Sequence, residues 1–95
     1  MLRVSESRSS EGVTTLRLEG RLSGPWVEEA RRSFEFYTGN IRRLNLDLKE
    51  LSFVDREGIT LLNTLAKRGV GLTNCSQFLK ERLKEFDHVP RTQSL

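Results

Sequence analysis

Most of the residues on which small-protein chemistry is usually built are scarce in this chain. Its 95 residues contain one cysteine (Cys75), one histidine (His88) and two prolines. A single cysteine cannot close an internal disulfide. With no Cys or His cluster around it, Cys75 reads as a small apolar filler suited to a reducing compartment. Nucleophilic catalysis needs a Ser, Cys or Thr beside a base, and a lone histidine in a polar tail assembles no triad. No glycine-rich phosphate cradle and no dinucleotide fingerprint is present, so neither enzymatic activity nor a cofactor is expected. No apolar run reaches the roughly 18 residues of a membrane span. Met1 to Ser10 lacks an apolar signal core, so the expectation is a soluble, cytoplasmic protein without direct membrane insertion.

Charge of one sign is also not concentrated anywhere. Sixteen basic and 13 acidic residues give a net charge of +3 and a pI near 9.5. The basic pairs Arg31-Arg32, Arg42-Arg43 and Lys67-Arg68 each have acids or apolar residues beside them. No aromatic-basic interleaving of the stacking type accompanies them, so a solvated surface is favoured over nucleic-acid binding.

What is present is a regular apolar pattern. Leu2 and Val4 suggest a short first strand, with a turn over Glu6 to Gly12. Thr14, Leu16 and Leu18 alternate with Thr15, Arg17 and Glu19 along a second strand that has one dry face. After Gly24-Pro25, Trp26, Ala30, Phe34 and Tyr37 recur at helical spacing and predict a stripe facing the sheet, with Trp26 as a core anchor. Glu28 with Arg32 and Arg31 with Glu35 lie four apart on the outer side. Gly39-Asn40 then stops this helix. Leu44, Leu46 and Leu48 mark a third strand, and Leu51, Phe53 and Val54 carry the chain to an acidic turn. The following helix shows Ile59, Leu62, Leu65 and Ala66 on its apolar face and stops at Lys67-Arg68-Gly69. Val70 to Thr73 forms a short strand. Asn74 or Ser76 caps a last helix whose stripe is Phe78, Leu79, Leu83 and Phe86.

Together these elements predict an α/β fold, a mixed sheet of about four strands with helices mainly on one face, in a single domain over residues 1–87 followed by a polar tail over 88–95. The most informative segment is the strand-to-helix junction Phe53-Val54-Asp55-Arg56-Glu57-Gly58-Ile59. Asp55 is the expected N-cap, and Glu57 sits in the first turn, where the helix dipole favours its charge. Gly58 is discordant inside a helix and marks a close approach to the backbone. Asp47, Asp55 and Glu57 would offer three acids to a divalent cation if the fold gathered them, but calcium-loop spacing is absent and no metal is expected.

The ordered segments Leu16 to Ser23, Leu44 to Leu48, Phe53 to Leu62 and Val70 to Leu72 resemble the STAS family of sulfate transporters and anti-sigma factor antagonists. The resemblance implies a STAS-like fold and a protein partner, an anti-sigma kinase-like protein, met at the junction and at the neighbouring Ser23 loop. In that family the turn reads Asp, any residue, Ser or Thr, Gly, and the hydroxyl is the phosphate acceptor. Here Glu57 occupies that position, and Ser23 stands where kinase-binding members often carry Asp. Ordinary phospho-switching is therefore not expected. The expected partner surface is Ser23, Asp55, Arg56, Glu57, Gly58 and Ile59. The alternatives are an accessory subunit of a lipid or anion transport complex, a small-ligand sensor, or a homodimer formed through an exposed sheet edge.

Overall fold

The computed structural model describes residues 1–40 and 43–84. Strands β1 (Leu2–Arg8) and β2 (Thr14–Leu22) form an antiparallel hairpin. Helix α1 (Pro25–Asn40) leads to β3 (Leu44–Val54), which lies parallel to β2. Helix α2 (Arg56–Lys67) leads to β4 (Gly71–Thr73), parallel to β3, and residues 77–84 are helical and are labelled α3. The sheet order is β1-β2-β3-β4. This is the mixed four-stranded α/β sheet that the pattern of strands and helices predicts. The expectations for Phe86, His88 and the tail lie outside the described residues.

Alternation builds the core. Leu16, Leu18 and Leu22 of β2 and Leu44, Leu46 and Leu48 of β3 are buried on one face. Val27, Ala30 and Phe34 of α1, Ile59, Leu61, Leu62 and Leu65 of α2, and Leu79 of α3 join them in one apolar cluster. The opposite face carries exposed Arg17 and Lys49 and half-buried Asn45 and Asp47, so the helices cover only one side. Among the described residues, no helix is long and apolar enough to cross a membrane.

The structure changes several local expectations. Strand β1 runs on to Arg8, and the turn is confined to the residues after it, where Ser9 Oγ accepts the amides of Glu11 and Val13 at 3.2 Å each. Polar side chains are ordinary on an edge strand, so Ser and Glu did not signal its end. In α1 the buried stripe is Val27, Ala30 and Phe34, and Trp26 is 37% exposed, not a core anchor. Position 26 lies about 100° around the helix from position 27, and it is Val27 that points at the sheet. On the outer side Glu28 pairs with Arg31 at 3.3 Å, three residues on, rather than with Arg32.

In α2 the inward set includes Leu61, while Ala66 faces out. In α3 Phe78 is 70% exposed and Leu79 carries the burial. Ser76 is the cap, its Oγ accepting the Leu79 amide at 3.1 Å. Asn74 instead takes a left-handed conformation (φ 58°) and donates its side-chain amide to Asp47 Oδ1 at 2.9 Å. Cys75 is half-buried, and burial pushes its thiol up from the ordinary value, which fits a filler better than a reactive group.

Candidate docking turn

Strands β2 and β3 end side by side, with Leu22 opposite Val54. Open α/β sheets place their binding sites beyond the carboxyl ends of parallel strands, which is where the Ser23 loop and the Asp55 turn meet. Asp55 holds the two loops together. Its extended backbone (φ −87°, ψ −177°) suits an N-cap, and Oδ1 accepts the Gly58 amide at 2.8 Å. The second oxygen, Oδ2, accepts the Gly24 amide at 2.9 Å from the β2–α1 loop. The Asp55 amide donates to the Leu22 carbonyl at 3.2 Å. Two charge-assisted bonds from one carboxylate fix the start of α2 against the start of α1.

Gly24, held in this way, has φ +57°, where glycine carries no side-chain penalty. The first turn of α1 closes over it, with the Trp26 amide donating to Ser23 O at 3.2 Å and the Val27 amide to Gly24 O at 3.1 Å. Gly58 is buried. A Cβ there would lie 2.6 Å from the Leu22 carbonyl oxygen and 2.7 Å from Val54 Cγ1. The close approach that this glycine permits is therefore that of the protein's own strand ends, and packing accounts for it without any outside molecule.

The six residues expected at the surface thus separate. Arg56 and Glu57 are exposed, Ser23 and Asp55 are half-buried, Gly58 is buried and Ile59 is fully enclosed (0% exposed). Ile59 and Gly58 shape the turn from below and present no side chain outward, and both carboxylate oxygens of Asp55 are engaged internally. Glu57 remains as the outward carboxylate, in the first turn of α2 where the amide ends of the helix favour a negative charge.

Asp47 is not part of this group. It lies beside β4 and accepts from the Asn74 side chain and from the Lys49 amide at 3.1 Å. These two bonds, the Asn74 bond foremost, hold its carboxyl below the usual carboxylate range. It is separated from Asp55 by most of β3, roughly 25 Å at the rise of a strand. Among the described residues no three acid, histidine or cysteine side chains converge as a metal-ligand group.

Two features beside the turn were not visible in the sequence. Arg82 of α3 donates from its guanidinium to the Val54 carbonyl. The Arg21 guanidinium lies 4.5 Å from the ring centroid of Phe53, which is 41% exposed. Nothing in the spacing of Arg82 distinguishes it from a solvated helix charge; the neighbour that gives it meaning is 28 residues away.

Comparison with known proteins supports the architecture. No family model and no curated protein matches the chain. Solved structures do match, and the class they define is the STAS fold. The anti-sigma factor antagonist SpoIIAA in its unphosphorylated form is similar over 98% of this chain and 100% of its own, with a TM-score of 0.66 and 18% identity. An antisigma-factor antagonist STAS domain from Rhodobacter sphaeroides is similar over 81% of this chain and 94% of its own, with a TM-score of 0.59 and 20% identity.

Proposed function

We propose that this chain is a non-enzymatic protein-interaction module of the anti-sigma factor antagonist type, docking a protein partner through the turn that begins α2. The observation that carries the reading is the Asp55 clasp: one carboxylate joins both loops and leaves Arg56 and Glu57 outward on a rigid support. A preformed surface of this kind loses little conformational freedom on binding. Two neighbours in fold are described as anti-sigma factor antagonists, which favours an anti-sigma kinase-like partner.

Glu57 occupies the place of the family's phosphate acceptor. A phosphate would add nearly two negative charges and Glu57 supplies one, permanently, so the module works without ordinary Ser or Thr phospho-switching. Signalling or transcriptional control in a bacterial cytoplasm is the setting this reading implies. The accessory-subunit reading shares the fold and differs in its partner. Genes for a sigma factor or kinase beside this one favour the first reading, and transport ATPase genes favour the second.

The test is quantitative capture of partners from the native cell with wild type, Glu57→Ser and Glu57→Lys. The docking reading expects one partner to be retained by wild type and lost or weakened at least about tenfold with Glu57→Lys, a change of about 1.4 kcal/mol. Indifference to both substitutions removes the turn from the interface.

A further inference from the structure

The longest strand of the sheet is left partly uncovered. Strand β3 runs to Val54, but β4 pairs only with Asn45, Leu46 and Asp47. The left-handed Asn74, tied to Asp47, then turns the chain off the edge. From Leu48 to Val54, β3 has no strand neighbour on that side among the described residues. The acceptor at its end, the Val54 carbonyl, is met instead by a side chain, Arg82. An open edge of this length is the usual template for pairing with an added strand.

The space beside the edge is a small groove between β3 and α3, lined by Leu51, Phe53, Val54, Phe78, Leu79 and Arg82. Its volume of about 60 Å³ is far below the several hundred Å³ of pockets that enclose small-molecule ligands. It suits one aliphatic side chain. Both aromatic rings on its rim are exposed beyond what packing needs, Phe53 at 41% and Phe78 at 70%.

The charge of the rim selects among peptides. Arg21 lies over Phe53, and Arg82 lies 5.8 Å from the centroid of Phe78. Neither arginine forms an ion pair among the described residues. Glu50 pairs instead with Arg17 at 3.7 Å, and Glu81 accepts from Gln77 at 3.0 Å. Arg82 is already donating to the Val54 carbonyl, whereas the Arg21 guanidinium on its aromatic face offers a forked donor to a carboxylate.

We infer that the groove between the open edge of β3 and the start of α3 binds an extended peptide segment of a partner protein, in which an aliphatic residue alternates with acidic ones. Backbone pairing along residues 48–54 supplies affinity. The aliphatic side chain enters between Phe78 and Leu79, and the flanking carboxylates turn to the other face of the sheet, toward Arg21 over Phe53. This surface does not depend on the role of Glu57, and the two can be separated by experiment.

The probe is acetyl-Glu-Val-Glu-Val-Glu-amide, titrated into the isotope-labelled protein and followed by amide chemical shifts. Saturable shifts confined to residues 48–54, 77–82 and the neighbourhood of Arg21, and at least about tenfold weaker binding of the Lys-Val-Lys-Val-Lys analogue, are expected. Phe78→Glu and Arg21→Gln should each weaken binding of the acidic probe at least about tenfold, whereas Glu57→Lys should leave it unchanged. Phe78 is mostly exposed, so its variant folds, and an unchanged amide spectrum elsewhere verifies this. Absent saturation, equal binding of the two peptides, shifts centred elsewhere, or insensitivity to Phe78→Glu overturns the inference. A concentration-dependent dimer that Phe78→Glu abolishes, without peptide binding, assigns the edge to a second copy and overturns it equally.

Discussion

Gly58 illustrates how one residue can be read correctly for its geometry and wrongly for its cause. A glycine in the first turn of a helix signals a close approach, but the sequence does not say of what. The structure supplies the Leu22 carbonyl, contributed by a strand 36 positions earlier in the chain. Replacing Gly58 by Ala gains helix propensity of about 1 kcal/mol but forces a methyl group against a strand backbone. The expected net loss is about 1–2 kcal/mol, read as a lower midpoint in urea.

Asp55 was legible as a cap because Gly58 lies three residues on, whereas its bond to Gly24 spans 31 residues and leaves no local trace. Asp55→Ala removes both bonds and should cost about 2 kcal/mol by chemical denaturation. Asp47 makes a separate pH prediction. Its folded-state carboxyl is held below the unfolded value by Asn74 and the Lys49 amide, so its contribution is present above the unfolded value and is lost as pH falls through the folded one. Asp47→Asn should therefore lower the urea midpoint near neutrality and change it little at acid pH, flattening the acid limb of the stability curve.

At the scale of elements, strands were easier to read than helix faces. The alternating leucines of β2 and β3 have only two possible orientations, and one of them is dry, so the buried face followed from the sequence, while the register shifts between the two strands did not. Helices have finer choices. In α1 the pairs Trp26/Ala30 and Val27/Ala30 both satisfy a helical spacing, and the larger aromatic was the tempting anchor. The sheet takes Val27, Ala30 and Phe34. Phe34, fully enclosed, should therefore lose about 3–5 kcal/mol on truncation to Ala. Trp26→Ala should lose about 1–2 kcal/mol, and thermal unfolding of the two variants would rank them. The end of β1 was obscured for a related reason: an edge strand tolerates polar residues, and Glu6 there bonds the Tyr37 hydroxyl at 2.9 Å, tying β1 to α1. That bond raises the phenol above its ordinary value.

For the molecule as a whole, the order of elements was legible because each is bounded by strong turn and cap residues, and it corresponds to the STAS fold shared with SpoIIAA. The relation between ends was not legible. The sequence marked the acidic turn, but only the fold shows that its capping carboxylate is engaged internally and that Glu57 is the carboxylate left outward. It also shows that α3 comes to the end of the same strand through Arg82. The Asp55 clasp serves the support itself, joining the starts of α1 and α2.

The central claim is that Glu57 faces a partner. The most direct measurement is the dissociation constant of that partner, once recovered from the native cell, for wild type and Glu57→Lys side by side with their unfolding midpoints. The account predicts at least about tenfold weaker binding with only a small drop in midpoint, because the side chain is exposed and the substitution forfeits only the helix-dipole contribution of about 1 kcal/mol or less. Equal affinities at equal stability would contradict it.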